Sequence, residues 1–374
     1  MQTQTPWQRG VAILTGIYIT RLLGMFILFP IFSLYARELS GATPITIGIA
    51  LGAYGLTQGL FQIPFGWLSD RWGRKMPMLI GLLIFAIGTA CAALADSIEA
   101  MILARLIQGM GAVSAVTLAY ATDITPLEKR GKAMRLIGAS IGMTFVVALI
   151  LAPLLDSLIG TRGIFWLIFA LVVFSMLGTW RLPDVSLPVR IESTKRFDAK
   201  VLVLPCVGIF LLHVTFTGAF VLIPTLLHQS ALPHLWAHYL VANLIATAFM
   251  RPHNHPHPLN FGVNFILLGT GLALYLPASG SYSFLLAASV FFIAFYRLET
   301  ALPHYVSLVA DEHQRGKAMG YYATCQFFGS FIGGAVAGGL WRISSMPHTL
   351  ALLALTAGIT GLGFLFYATR PKAL

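Results

Sequence analysis

Along the 374 residues the apolar positions do not alternate, and they do not form one-sided helical stripes. They come as unbroken blocks of about 20, divided by short polar segments, which is the length a helix needs to cross a hydrocarbon core of about 30 Å. Strands of a membrane barrel would alternate with period two over shorter segments, so helices are predicted. The pattern predicts twelve spans, at 11–36, 45–69, 77–95, 100–122, 133–155, 164–181, 201–227, 235–250, 259–276, 283–304, 317–341 and 347–368. No small-residue cleavage site follows the first block, so it is expected to stay as a span rather than leave as a signal peptide.

The longest polar segment, 182–200, carries Pro183, Pro188 and mixed charges, and it parts the chain into two blocks of six spans. The expected organisation is a six-helix bundle over 1–181, a cytoplasmic linker over 182–200 and a second six-helix bundle over 201–374. An internal repeat supports the division. Arg130-Gly131-Lys132-Ala133-Met134 recurs as Arg315-Gly316-Lys317-Ala318-Met319, in each case after an acidic loop and at the start of a glycine-rich span. Parallel duplicated halves are a plan that secondary transporters use. The predicted fold class is an all-α membrane protein of twelve transmembrane helices in two pseudo-symmetric bundles.

Composition agrees. The chain is 57% hydrophobic and only 10% charged, and its mean hydropathy is +0.81. A soluble domain would carry roughly a quarter charged residues. The net charge of +11 suggests nucleic acid until the cations are located. With the N-terminus inside, eighteen of the 24 Lys and Arg residues fall on cytoplasmic segments, three (Arg37, Arg162, Arg342) fall outside and three (Arg21, Arg105, Arg297) lie within spans. This positive-inside bias accounts for the charge without nucleic acid and puts both termini in the cytoplasm. Cys91, Cys206 and Cys325 all lie within spans, so small apolar packing groups are expected rather than a disulfide framework.

After the second span comes Gly66-Trp67-Leu68-Ser69-Asp70-Arg71-Trp72-Gly73-Arg74-Lys75. A positive-inside loop explains its basic residues but not Asp70, whose carboxylate meets the negative end of the helix dipole. Asp123, at the end of the fourth span, has the same difficulty. Two disfavoured acids beside clustered arginines predict specific pairing. The segment resembles the signature loop of the major facilitator superfamily. Leu103-x-Arg105-x-x-Gln108-Gly109-x-Gly111-Ala112 resembles that superfamily's second motif, and Ala148 to Pro153 its antiporter motif loosely. Arg21 to Phe26 and Tyr54 to Gly66 are similar to the YajR-like branch of its drug/proton antiporters.

The resemblance implies alternating access by two rocking bundles in the bacterial cytoplasmic membrane. It implies a monomer that works on a small-molecule substrate and protons, with no cofactor beyond the proton gradient. It further implies a conformational latch of Gly66, Asp70, Arg71, Gly73, Arg74, Lys75, Asp123 and Gly316. In that latch Asp70 meets the start of the eleventh span near Gly316, and Arg74 pairs with Asp123, holding the cytoplasmic side shut. A cavity is implied between the halves, and Phe26, Tyr54, Gln58, Phe61, Gln62, Phe216, Phe220, Phe291, Phe295, Tyr322 and Gln326 are the residues expected to line it. As a set they suit an apolar or cationic-amphiphilic cargo.

Charges inside a bilayer normally face a cavity or a partner. Arg21 lies too deep for easy snorkelling and is expected to be functional, while Arg105 divides between snorkelling and function. Glu299, the sole acid placed inside a span, is the candidate proton carrier, with the inner polar end of its span as the alternative. Arg21, Arg105 and Glu299 are thus the expected coupling residues. His213 is expected to be a hydrogen-bonded packing residue. The histidines at 253, 255 and 257 alternate among prolines, and a solvated loop is favoured over a metal site. No nucleotide loop or nucleophile constellation is present, so an enzyme is not expected. The expected function is proton-coupled efflux of lipophilic or amphipathic drug-like compounds. Sugar or other metabolite transport, or a non-transporting membrane receptor or assembly factor on the same scaffold, are the alternatives.

Overall fold

The computed structural model describes residues 6–184, 199–230, 235–249, 256–278, 280–310 and 315–369. Among them the chain is helical apart from turns, two 3-10 segments and one isolated bridge between Ser40 and Ser97. The helices are α1 (Pro6–Phe26), α2 (Phe29–Ala36), α3 (Pro44–Trp72), α4 (Lys75–Leu94), α5 (Ile98–Met110), α6 (Ser114–Ile124) and α7 (Arg130–Trp180) in the first half. The second half holds α8 (Val203–Gln229), α9 (Leu235–Ala248), α10 (Pro258–Ala273), α11 (Ser281–Val309), α12 (Arg315–Ile343) and α13 (Met346–Thr369).

Nine helical stretches among the described residues are long and apolar enough to cross a membrane. One of them, Leu127–Trp180, holds both the fifth and the sixth spans, and two shorter apolar helices, Ala237–Ala248 and Pro258–Ala273, supply the eighth and ninth. Every span read from the sequence therefore has its helix. Two spans expected to be continuous are not. The first breaks after Phe26, where Pro30 supplies no backbone donor to the turn before it. The fourth breaks at Gly111, because α4 presses on it: an ideal Cβ on Gly111 would lie 2.3 Å from the Gly81 carbonyl oxygen. Conversely, the expected break between the fifth and sixth spans is a single residue, Gly160, with φ 69° and ψ 165° inside one long helix. The boundary at 182–200 falls largely on 185–198, outside the described residues.

Local chemistry sets the helix starts. The Thr43 side chain caps α3 in a reciprocal capping box with Thr46, ahead of Pro44. Ser97 caps α5, and His257 caps α10 ahead of Pro258. Of the histidine loop, only His257 lies among the described residues.

Within the first half α1 and α4 pack on α7, and α5 on α3; within the second α10 packs on α13, α12 on α8 and α9 on α11. Two seams matter for the site. Along α8 and α12, ideal Cβ atoms on Gly329 and Gly333 would lie 2.3 Å from the Phe210 and Val214 carbonyl oxygens, and one on Gly218 would meet Ala337. One register thus holds for about two turns. Between the halves, α3 and α12 touch backbone to backbone at Gly48, Gly52 and Gly55, against Gly334, Phe331 and Phe327. The contact loosens at Gly59, and an added Cβ at Gly66 or Gly320 would meet nothing within 4 Å. The two helices therefore close one face of the protein and separate towards the other, the basic face that carries Arg71, Arg74 and Lys75.

Candidate functional site

Two clusters of buried polar side chains, one in each half, are joined through an aromatic layer. In the first half Arg21 donates from Nη2 to Tyr54 Oη and Gln58 Oε1, both at 2.8 Å. Gln58 Nε2 donates onward to Gln62 Oε1 at 3.1 Å. Tyr54, Gln58 and Gln62 are four residues apart on α3, so they make a ladder on one helix face. The Arg21 guanidinium also lies 4.8 Å from the centre of the Phe85 ring. Arg105 lies 5.0 Å from the centre of the Tyr54 ring and donates to Gln108 Oε1 at 2.8 Å, and Gln108 in turn donates to Thr89. Arg105 is fully buried and does not snorkel. The sequence motif contains Gln108, but its part in holding Arg105 appears only with α4 in place.

In the second half three spans converge. Gln326 Nε2 on α12 donates to Glu299 Oε1 on α11 at 2.9 Å and lies 3.0 Å from His213 Nε2 on α8. His213 Nδ1 is 3.2 Å from the Ile209 carbonyl. That carbonyl can only accept, so Nδ1 carries the proton, and Nε2 accepts from Gln326. His213 Nε2 and Glu299 Oε2 stand 3.8 Å apart, and that carboxylate oxygen is buried without a hydrogen-bond partner. The Glu299 side chain as a whole is 33% exposed, so the cluster encloses it only in part. His213, expected to be a hydrogen-bonded packing residue, is buried and hydrogen-bonded, and its partner Gln326 makes it a member of this cluster. The spans read from the sequence carry no signal for it; only in the observed α8, α11 and α12 do His213, Glu299 and Gln326 stand at one depth from the helix ends at Val203, Val309 and Arg315. Cys206 on α8 and Cys325 on α12, expected as packing groups, are free thiols, each partly buried. Arg297 turns away from Glu299 and donates to the Phe249 carbonyl.

Between the clusters the expected cavity aromatics are packed, not open. Phe26 meets Phe145 at 4.7 Å between centroids, Phe145 stacks on Phe295 at 5.3 Å, and Phe295 on Phe216 at 4.3 Å. Phe29 joins Phe216 and Phe220, and Phe291 stacks on Phe295. This ring layer bridges α1, α2 and α7 of one half to α8 and α11 of the other. Tyr322 is buried and Phe61 half-buried. Phe145, the hub of the layer, stands between Thr144 and Val146 and belongs to no motif that would mark it out.

At the basic face Arg74 gathers three partners. Its Nε donates to Asp123 Oδ2 at 2.6 Å, and its Nη1 to Asp70 Oδ1 at 2.7 Å and Ser69 Oγ at 2.8 Å. Burial would lower the Arg74 pKa, but the bonds to Asp123 and Asp70 outweigh it and hold the guanidinium above its ordinary value. Gly73, with φ 81°, makes the turn that lets Arg74 fold back under α3. Arg71 lies 4.0 Å from the Trp67 ring centre, and Lys75 reaches Asp184 at 3.2 Å. Asp70, expected against the start of α12 near Gly316, lies on Arg74 instead. The 311–314 segment before that start is outside the described residues. Gly66 stands clear of α12, as the separation of the helices at this face requires.

Two six-helix bundles with charged groups sealed inside and a seam that closes at one face define a membrane transport protein. Residues 14–256 match the family model described as Major Facilitator Superfamily, and the chain belongs to that superfamily. It is 36% identical over 354 residues to the inner membrane transport protein YajR of Escherichia coli (strain K12), a match spanning 89% of this chain and 78% of that one. It is 39% identical over 104 residues to multidrug resistance protein 3 of Bacillus subtilis (strain 168), covering 27% of this chain and 19% of that one. The crystal structure of an auto-inhibited POT family peptide transporter superimposes with a TM-score of 0.76 at 14% identity, covering 98% of each chain, which shows a shared fold. The protein is thus a multi-pass membrane transporter for a small-molecule substrate.

Proposed function

We propose that the transporter exports lipophilic or amphipathic compounds in exchange for protons by alternating access, with Glu299 as the proton site. The observation that carries this is the bracket formed by Gln326, whose one amide group serves both Glu299 Oε1 and His213 Nε2. A carboxylate with one bonded and one free oxygen, next to an imidazole lone pair, can take up and release a proton without rebuilding its surroundings. Partial similarity to a multidrug resistance protein supports drug-like cargo. Positive-inside topology makes the basic face cytoplasmic, in the inner membrane, and makes the present arrangement open to the cytoplasm. The bundles 1–181 and 201–374 rock about the aromatic layer. The Arg74–Asp123–Asp70 cluster acts as the latch when the cytoplasmic side closes, Asp70 then leaving Arg74 for the positive end of α12. The working unit is a monomer with no cofactor.

The test uses the full chain in proteoliposomes with an imposed pH gradient. Glu299→Gln should abolish gradient-driven flux of a lipophilic dye while leaving counterflow without a gradient intact. Gln326→Leu should reduce driven flux about tenfold, the factor carried by one charge-assisted hydrogen bond. Driven flux unchanged in Glu299→Gln would overturn the assignment.

A further inference from the structure

Two guanidinium groups lie inside the first bundle with no acid beside them. Arg21 is 4% exposed and Arg105 2%. Among the described residues neither enters an ion pair; of the acids, Asp70 and Asp123 lie on Arg74, Asp96 on Arg162, Asp184 on Lys75 and Glu299 on Gln326. The partners of the two arginines are neutral, namely a phenol, two amide oxygens and two ring faces. Nε and Nη1 of Arg21 and Nε of Arg105 are buried without any hydrogen-bond partner. A buried lysine could shed its proton in such surroundings, but a guanidinium cannot. Two permanent positive charges are therefore held beside the Tyr54 ring with donors unspent and no internal counter-charge.

We propose that Arg21 and Arg105, with Tyr54 and Gln58, receive the anionic head group of the cargo, so that the exported compound is an amphipathic organic anion of the aryl carboxylate type. The inference rests on the transport function proposed above and fixes the sign of its substrate. The missing element of the cluster is negative charge, and a planar guanidinium suits a carboxylate better than any other common anion donor set does. The amide ladder of Gln62 and Gln58 runs from the end of α3 that stands clear of α12 towards Arg21, so a head group can be passed along one helix face. Phe26 lies on α1 only five residues beyond Arg21 and opens the ring layer, which offers flat apolar partners to the aryl body. Taken alone, those aromatics suit a cation; the two uncompensated arginines reverse that preference.

The experiment measures thermal stabilisation of the purified full chain in nanodiscs by three probes that share one body: 1-naphthylacetate, 1-naphthylacetamide and 1-naphthylmethylammonium. The carboxylate should raise Tm, and the amide and the ammonium should not. Arg21→Gln and Arg105→Gln should each weaken carboxylate binding on the order of tenfold or more. Arg21→Lys, which keeps the charge but loses the fork, should fall between. Stabilisation by the ammonium but not the carboxylate overturns the proposal, and so does a carboxylate response unchanged in both glutamine variants. The wild-type comparison decides even where a variant fails to fold. Flux separates this inference from the broader one. Gradient-driven ammonium flux that is lost in Glu299→Gln would sink the anion site and keep proton-coupled export, whereas gradient-driven carboxylate flux unaffected by Glu299→Gln would do the reverse.

Discussion

An ideal Cβ on Gly48 would lie 2.0 Å from the carbonyl oxygen of Gly334, and one on Gly334 would lie 2.3 Å from the carbonyl oxygen of Gly48. The two backbones are in mutual contact, and nothing larger than hydrogen fits between them. Small residues at such crossings let helices reach van der Waals distance where no hydrophobic force drives them together.

Closure of that face should therefore fail when either glycine gains a methyl group. Gly48→Ala requires α3 and α12 to part until the contact grows from 2.0 Å to at least 3.0 Å. Spin labels placed at Ala42 and Ile343 should report a longer, broader distance distribution in Gly48→Ala and in Gly334→Ala. Gly66→Ala, which meets nothing, should leave it unchanged. An unaltered distribution in the first two variants would mean that this contact does not hold the face closed.

Arg74→Ala should lower the thermal stability of the first bundle more than either acid variant does. It leaves Asp123, 14% exposed, without its charged donor, and removes three hydrogen bonds together. A cost of about 2–3 kcal/mol is expected from stranding a charged partner. Asp70→Asn should cost less than about 1 kcal/mol, because a carboxylate 41% exposed regains water. Melting curves of the purified variants, read by tryptophan fluorescence, give the order directly.

Gly73→Ala isolates a backbone effect. At φ 81° and ψ 173° the residue occupies a region essentially reserved for glycine, while its added Cβ would touch nothing within 4 Å. The expected cost is about 1–3 kcal/mol, from conformation alone. A Tm equal to that of the parent chain would show that the turn relaxes to another conformation without loss.

Block length, turn residues and the repeat at 130 and 315 were enough to place all twelve spans, because crossing a bilayer imposes a long uninterrupted apolar run. The breaks at Gly111 and after Phe26 were not legible, since they answer to packing by α4 and to a proline whose effect depends on its turn. Asp70 and Asp123 could be expected to pair with nearby arginines because each acid is locally disfavoured at a helix end, and the choice of Arg74 for Asp123 came from the family resemblance. His213 could not be assigned the same way. A single histidine in an apolar run has nothing beside it in sequence that betrays Gln326 and Glu299, which arrive from other spans. Phe26, Phe216, Phe220, Phe291 and Phe295 were expected by resemblance as cavity lining, but their packing with Phe29 and Phe145 was not legible, because it depends on how the helices of the two halves meet.

Gly48 and Asp70 belong to one uninterrupted 29-residue helix and stand about 33 Å apart along its axis at 1.5 Å per residue. In the rocking proposed above such a helix would act as a seesaw, with its fulcrum near Gly59, where contact with α12 gives out. Tilting it by about 10° would carry each tip some 3 Å in opposite directions, a lever estimate from the same helical rise. If the bundles rock as proposed, shutting one door would force the other ajar, and a route open at both ends at once would require this helix to bend, with Pro64 the place for it.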